Sequence, residues 1–142
     1  MHTPVKRRIV IVDDHPTMRE GLRTILQSAD DLVVCGEAEN GEKALAAVEE
    51  LKPDLAIVDI SLREKLDGLE LTRRLRRRWP ALPILTFSLH QGEAYCDAAL
   101  AAGALGYCAK GEPKQVLLKA VHQVLQGKRF ISKLARMNSD QS

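Results

Sequence analysis

Short apolar runs recur along this chain, and each is followed by a stretch whose apolar residues fall three and four apart. Ile9–Val12 and Leu55–Val58 are unbroken, and Leu32–Cys35, Ile84–Phe87 and Leu105–Ala109 are nearly so. Runs this short, without apolar–polar alternation, read as strands covered on both faces in a parallel sheet. Between them lie five helical patterns. The first, from about His15 to Ser28, carries Met18, Leu22, Ile25, Leu26 and Ala29, with Pro16 suited to the first turn. Asn40 can cap a second helix bearing Ala44, Leu45, Ala47, Val48 and Leu51, which stops before Pro53. Asp67-Gly68-Leu69-Glu70 has capping-box spacing and opens a third helix with Leu71, Leu75 and Trp79. The fourth, from about Glu93 to Ala102, is alanine-rich and weakly apolar. The fifth starts at Pro113, carries Val116, Leu117, Ala120, Val121, Val124 and Leu125, and has Gly127 placed for its C-terminal cap.

Strict alternation of strand and helix implies right-handed β-α-β units, with helices on both faces of a five-stranded parallel sheet. Sites in such sheets lie beyond the carboxyl ends of the strands, where strand order reverses. With an assumed order 2-1-3-4-5, the reversal falls between strands one and three. Those strands end in Asp13-Asp14 and in Asp59. Three carboxylates meeting at one sheet edge repel. Two unit charges about 4 Å apart cost roughly 4 kcal/mol at an effective dielectric near 20. A fold keeps such a cluster when a cation, or a group transferred to one carboxylate, makes use of it. Metal-assisted phosphoryl chemistry is the class this points to.

Composition narrows the class further. The 142 residues fit one domain, and a hydrophobic content of 45% suffices for a core. Net charge is only +2, from 21 basic and 19 acidic residues, without the large basic excess of a nucleic-acid binder. The run Arg73-Arg74-Leu75-Arg76-Arg77-Arg78 spreads around a helix axis and reads as a solvated face. Cys35, Cys96 and Cys108 are odd in number and lack C-x-x-C spacing, so reduced, buried or half-buried thiols are expected. Met1 to Pro4 shows no signal-peptide pattern, and no apolar run nears the roughly 20 residues of a membrane span. A cytoplasmic location is expected. Nucleotide-binding patterns G-x-x-x-x-G-K-[ST] and G-x-G-x-x-G are missing.

Two further strand ends complete a pattern: Ser88 follows strand four, Lys110 follows strand five, and Tyr107 stands three residues before Lys110. With these, residues 7–127 resemble the receiver domain of two-component response regulators. Within that family the chain is similar to the LuxR-type (NarL/FixJ-like) branch. The resemblance runs through Val12-Asp13-Asp14-His15-Pro16, Arg19-Glu20-Gly21-Leu22, Asp67-Gly68-Leu69-Glu70 and Ala102-Gly103-Ala104-Leu105-Gly106-Tyr107. It implies a flavodoxin-like (βα)5 fold in which Asp59 accepts a phosphoryl group as an acyl phosphate. Asp13, Asp14, Asp59 and the backbone carbonyl of Ser61 would hold Mg²⁺, a set that suits the ion's taste for a few carboxylates plus water and phosphate oxygens. Lys110 would pair with a phosphoryl oxygen and the Ser88 hydroxyl would bond another. Tyr107 would then change rotamer and turn a local charge event into a new surface. Such a domain catalyses its own phosphorylation and slow dephosphorylation and is otherwise no enzyme. Its implied partners are a sensor histidine kinase or a small phosphodonor, and a second copy of the chain through the first and fifth helices or the fourth-helix face.

His90, two residues past Ser88, is where the family adjusts hydrolysis of the acyl phosphate, and a solvated loop histidine is the competing reading. His15 reads as a helix-start residue. Three departures stand out. Ser61–Leu66 lacks a proline often found there and looks about one residue longer than usual. Gly111 replaces a common proline after Lys110, so a trans peptide is expected there, because a non-proline cis bond costs about 3 kcal/mol. Ser88 replaces the commoner threonine. Two other classes compete. A phosphatase of the haloacid-dehalogenase kind needs an acid two residues after the nucleophile, where this chain has Ser61. A receiver-like interaction module working without phosphate is the alternative that the loop after Asp59 motivates. Residues 128–142 read as a tail or linker, polar at its end. The chain is expected to be part of a longer transcriptional regulator that binds DNA only through a further, C-terminal domain.

Overall fold

The computed structural model describes residues 5–62 and 66–137. In chain order the elements are β1 (Arg7–Val12), α1 (Pro16–Gln27), β2 (Leu32–Ala38), α2 (Gly41–Leu51), β3 (Leu55–Val58), α3 (Gly68–Arg78), β4 (Ile84–Ser88), α4 (Glu93–Ala102), β5 (Gly106–Ala109), α5 (Lys114–Leu125), β6 (Phe130–Ile131) and α6 (Lys133–Arg136).

The apolar runs are unbroken because both sheet faces are covered. Ile9 and Ile11 of β1 face a core with Leu22 and Leu26 of α1 and Leu117, Val121 and Val124 of α5. Val10 and Val12 point the other way, into a core with Val48 of α2, Leu71 and Leu75 of α3, and Cys96 and Ala99 of α4. Period-2 alternation thus sorts each strand between two apolar layers rather than between core and water.

The sheet has six strands, in the order β2-β1-β3-β4-β5-β6, and every pairing is parallel. The expectation of five strands in order 2-1-3-4-5 is corrected at its far edge. Phe130 and Ile131, in the segment read as tail, pair with Gly106 and Tyr107 of β5. A strand of two residues is too short to leave a periodic signature, and this pair stands between Lys128-Arg129 and Ser132-Lys133. The flavodoxin-like core and the reversal between β1 and β3 are as expected.

Local chemistry ends the helices where the sequence suggests. Asn40 accepts a hydrogen bond from the Lys43 amide at 2.9 Å, and Asp67 accepts from the Glu70 amide at 2.9 Å. Only half of the capping box forms at α3, because the Glu70 carboxylate turns to Arg73 and Arg74. α1 starts at Pro16, with His15 in the cap position but making no side-chain cap bond. The arginine run is solvated: Arg78 reaches Glu49 and stacks on Trp79, 4.7 Å from its ring centre.

Two positions tie these elements to the strand ends. Gly68, first in α3, presses on the chain just after β3. A Cβ there would sit 2.2 Å from the Asp59 carbonyl oxygen and 2.3 Å from Ile60 Cα. Ser132, 1% exposed, binds the edge of the sheet. Its amide donates to Tyr107 O at 3.0 Å, and its hydroxyl accepts from the Ala109 amide at 3.1 Å and the Ala135 amide at 3.3 Å.

Two stability predictions result. Ser132→Ala leaves the Ala109 amide buried and unpaired, which costs about 1–3 kcal/mol. Urea denaturation should show that loss, and a change below roughly 0.5 kcal/mol would exclude β6 from the cooperative fold. Gly68→Ala drives a methyl into backbone that cannot rotate away, so a loss of about 2 kcal/mol or more is expected from overpacking. An unchanged melting temperature would contradict that close approach.

Candidate functional site

The neighbouring strands β1 and β3 deliver the acidic residues to one place. The Asp59 amide donates to Val12 O at 3.0 Å and the Asp13 amide to Ala38 O at 3.1 Å, so the strand ladders continue one residue into the site. Asp13, Asp14, His15 and Asp59 each offer one ligand atom, and these atoms lie within 4.8 Å of one another. Asp13 and Asp59 are each only 1% exposed. Asp14 and His15, at 21% and 59% side-chain exposure, form the open side of the cluster. A cleft of about 1010 Å³, lined by Arg7, Lys52, Trp79 and Arg129, opens at the opposite ends of the strands.

Lys110 crosses from β5 to answer the charge. Its ammonium donates to Asp13 Oδ2 at 2.9 Å and Asp59 Oδ2 at 3.1 Å, and lies 5.8 Å from the ring centre of Phe87. The Lys110 side chain is 4% exposed, so these bonds form largely out of water. No cis peptide bond occurs among the described residues, and Lys110–Gly111 is trans.

The remaining predicted residues fall around this centre. Ser61 enters through its amide, which donates to Asp59 Oδ1 at 2.8 Å. The loop read as about one residue longer than usual includes Arg63, Glu64 and Lys65, which lie outside the described residues. Ser88 is fully buried at the end of β4. Its hydroxyl accepts from the His90 amide at 3.1 Å, and its carbonyl accepts from the Lys110 amide at 2.8 Å. Tyr107 is fully buried and its hydroxyl donates to His90 O at 2.8 Å. Burial pushes the phenol up to about 12, which keeps it a neutral donor. The His90 ring stacks on Tyr95 at 4.6 Å between centres, so it is engaged with α4.

Sequence reasoning passed over two contributors. His15 leans across the acids, its Nδ1 2.9 Å from Asp14 Oδ1 and 3.2 Å from Asp13 Oδ1. Arg19 donates to Asp13 O at 2.6 Å while its Nε lies 3.5 Å from Glu37 at the end of β2. Arg19 sits one helical turn after His15, and that spacing was the signal available for it.

The donor set fits a hard divalent cation. Three carboxylates against one ammonium leave two negative charges, setting His15 aside. Asp14 Oδ1 is a buried acceptor without a hydrogen bond, because the nearby His15 nitrogen lies at ion-pair distance but without hydrogen-bonding geometry. Both features are what an oxygen-liganded dication removes.

Comparison with known proteins identifies the family. The family model of the response regulator receiver domain matches residues 9–122. The transcriptional regulatory protein DegU of Brevibacillus brevis is 39% identical over 126 residues, which are 89% of this chain and 53% of that protein. The nitrate/nitrite response regulator protein NarL of Escherichia coli K12 is 37% identical over 124 residues, 87% of this chain and 57% of that protein. The chain thus spans little more than half the length of these relatives. The crystal structure of a LuxR-family two-component response regulator from Aurantimonas sp. SI85-9A1 superposes with a TM-score of 0.86 at 36% identity, covering 90% of this chain and 91% of that one. No helix among the described residues is long and apolar enough to cross a membrane. The chain belongs to the response regulator receiver domains of two-component systems, on the LuxR- and NarL-type branch.

Proposed function

We propose that Asp59 is the phosphoacceptor, taking a phosphoryl group from a sensor histidine kinase or a small phosphodonor in the cytoplasm. One observation carries the reading: a single buried ammonium, Lys110 Nζ, contacts carboxylates from both β1 and β3, at 2.9 and 3.1 Å. An ammonium so placed can leave Asp13 for an oxygen of a group attached to Asp59 without leaving the site.

In this reading a carboxylate oxygen of Asp59 attacks phosphorus while the bond to the donor's leaving group breaks, giving an acyl phosphate. Asp13, Asp14, Asp59 and the Ser61 carbonyl would hold Mg²⁺. When bound, the ion offsets carboxylate repulsion and the charge developing on the transferring phosphoryl oxygens. The Ser61 amide fixes the orientation of the Asp59 carboxylate. Lys110 pairs with one phosphoryl oxygen, and the Ser88 hydroxyl donates to another while still accepting from the His90 amide. Tyr107 responds through the His90 carbonyl. The receiver unit takes in residues 7–127 together with β6 and α6 on its sheet edge, and the chain beyond them would lead toward a DNA-binding domain of a longer regulator. The last point is supported by the relatives named as transcriptional regulators, of which this chain spans about half.

Intact-mass measurement after incubation with acetyl phosphate and Mg²⁺ should show one added phosphoryl group on the wild type and none on Asp59→Asn or after chelation. Equal labelling of wild type and Asp59→Asn would end the reading. Lys110→Ala removes charge-assisted bonds of about 1.5–3 kcal/mol each, so phosphorylation should slow roughly tenfold or more. Free Mg²⁺ at 100 times its dissociation constant should stabilise the wild type by about 2.7 kcal/mol against unfolding. That gain should shrink in Asp14→Asn.

A further inference from the structure

The segment after α5 touches both loops that the proposed chemistry would move. On the β4–α4 side, the Ala135 carbonyl accepts from the Gly92 amide at 2.8 Å and from the Cys96 thiol at 3.4 Å. α4 has no side-chain cap, so this carbonyl serves the start of the helix in its place. On the β5–α5 side, the Leu134 amide donates to Glu112 Oε1 at 2.7 Å, and Leu134 lies over Gly111, where a Cβ would come within 2.9 Å of its Cδ2. Between these anchors, Ser132 binds Tyr107 O and the Ala109 amide. Ala135 is fully buried in the same core as Cys96, Tyr107 and Ala109.

Tyr107 is therefore held from two sides. Its hydroxyl is on His90 O, in the loop that Ser88 ties through the His90 amide, and its backbone is on Ser132. Any new bond to the Ser88 hydroxyl restrains the loop whose carbonyl keeps the phenol inward and whose Gly92 meets Ala135.

Resting on the receiver reading above, we propose that residues 130–136 form a clasp that closes on the inward Tyr107. Occupancy of Asp59 tightens the clasp, and loosening the clasp weakens what Asp59 holds. Such coupling is reciprocal by thermodynamic necessity. The clasp also carries the state of Asp59 to Met137, the last of the described residues.

The protein contains its own reporter. Cys96 is 3% exposed beneath Ala135, while Cys108 is buried in the opposite core beside α5 and reports global opening. Native-state alkylation with iodoacetamide, mapped by mass spectrometry, reads both thiols. Beryllofluoride with Mg²⁺ should slow Cys96 labelling relative to Cys108 about fivefold or more, the low end of ordinary coupling between sites, and should not slow it in Asp59→Asn. Glu112→Ala, which removes one anchor at a half-exposed position, should speed Cys96 labelling. It should also weaken beryllofluoride binding, measured by calorimetry, by a comparable factor. Beryllofluoride binding with unchanged or faster Cys96 labelling overturns the clasp and leaves the receiver reading intact. Labelling of Cys96 at the same rate as Cys108 throughout also overturns it, since no local opening then exists. Absence of beryllofluoride binding by the wild type overturns the receiver reading and the clasp with it.

Discussion

The repulsion between carboxylates at the ends of β1 and β3, answered by the buried Lys110, is the constraint on which this molecule turns. Two adjacent parallel strands in register (Ile9 opposite Leu55, Val12 opposite Val58) end together, so their next residues must lie side by side. Those residues are Asp13 and Asp59. Neither can retreat into water, because both follow strands with hardly any exposed surface. Lys110 reaches them from two strands further along the sheet, and its bonds hold the β5 end and its loop against the β1 end. A buried pair of this kind gives little net stability against an apolar replacement, yet losing one partner costs about 3–5 kcal/mol because a charge is stranded. Such an arrangement serves chemistry better than stability. It keeps one cation poised between two anions, where, on the proposed reading, a newly attached anion would redirect it.

What the sequence made legible follows from how the residues are used. Strands buried on both faces must be apolar throughout, so Ile9–Val12 and Leu55–Val58 announce themselves, as do the residues just past them. Caps are legible for the same local reason: Asn40 and Asp67 bond amides three residues away. The long-range partners are not. Arg19 braces the backbone of Asp13 and meets Glu37 from β2, a contact that only the folded sheet creates. Ser132 looks like any polar tail residue until it is seen satisfying two buried amides. β6 escaped because two residues carry no period, and the packing that decides it comes from β5 and α5. The capping box at α3 was half right, since Glu70 finds stronger partners in Arg73 and Arg74 than in the backbone amide.

Mobility has to be sought where burial is thin, because close-packed strands do not deform gradually. α4 is that place. Its buried residues are Cys96, Ala99 and Ala102, all small, whereas α5 buries Leu117, Val121 and Val124 against the sheet. Burial stabilises by roughly 25 cal/mol for each square ångström of apolar surface, so a helix anchored by alanines is held more weakly than one anchored by leucine and valines. The small residues on the buried side of α4 are thus the physical signature of a weakly anchored helix. Its start is stitched down by a backbone carbonyl from residue 135, and the loop before it carries the partner of Tyr107. The stiff half of the molecule, β1 and β3 with α1 and α5, fixes the chemistry. The lightly held half, α4 with the segment beyond α5, is where, on the proposed reading, a change of charge at Asp59 would cost least to express.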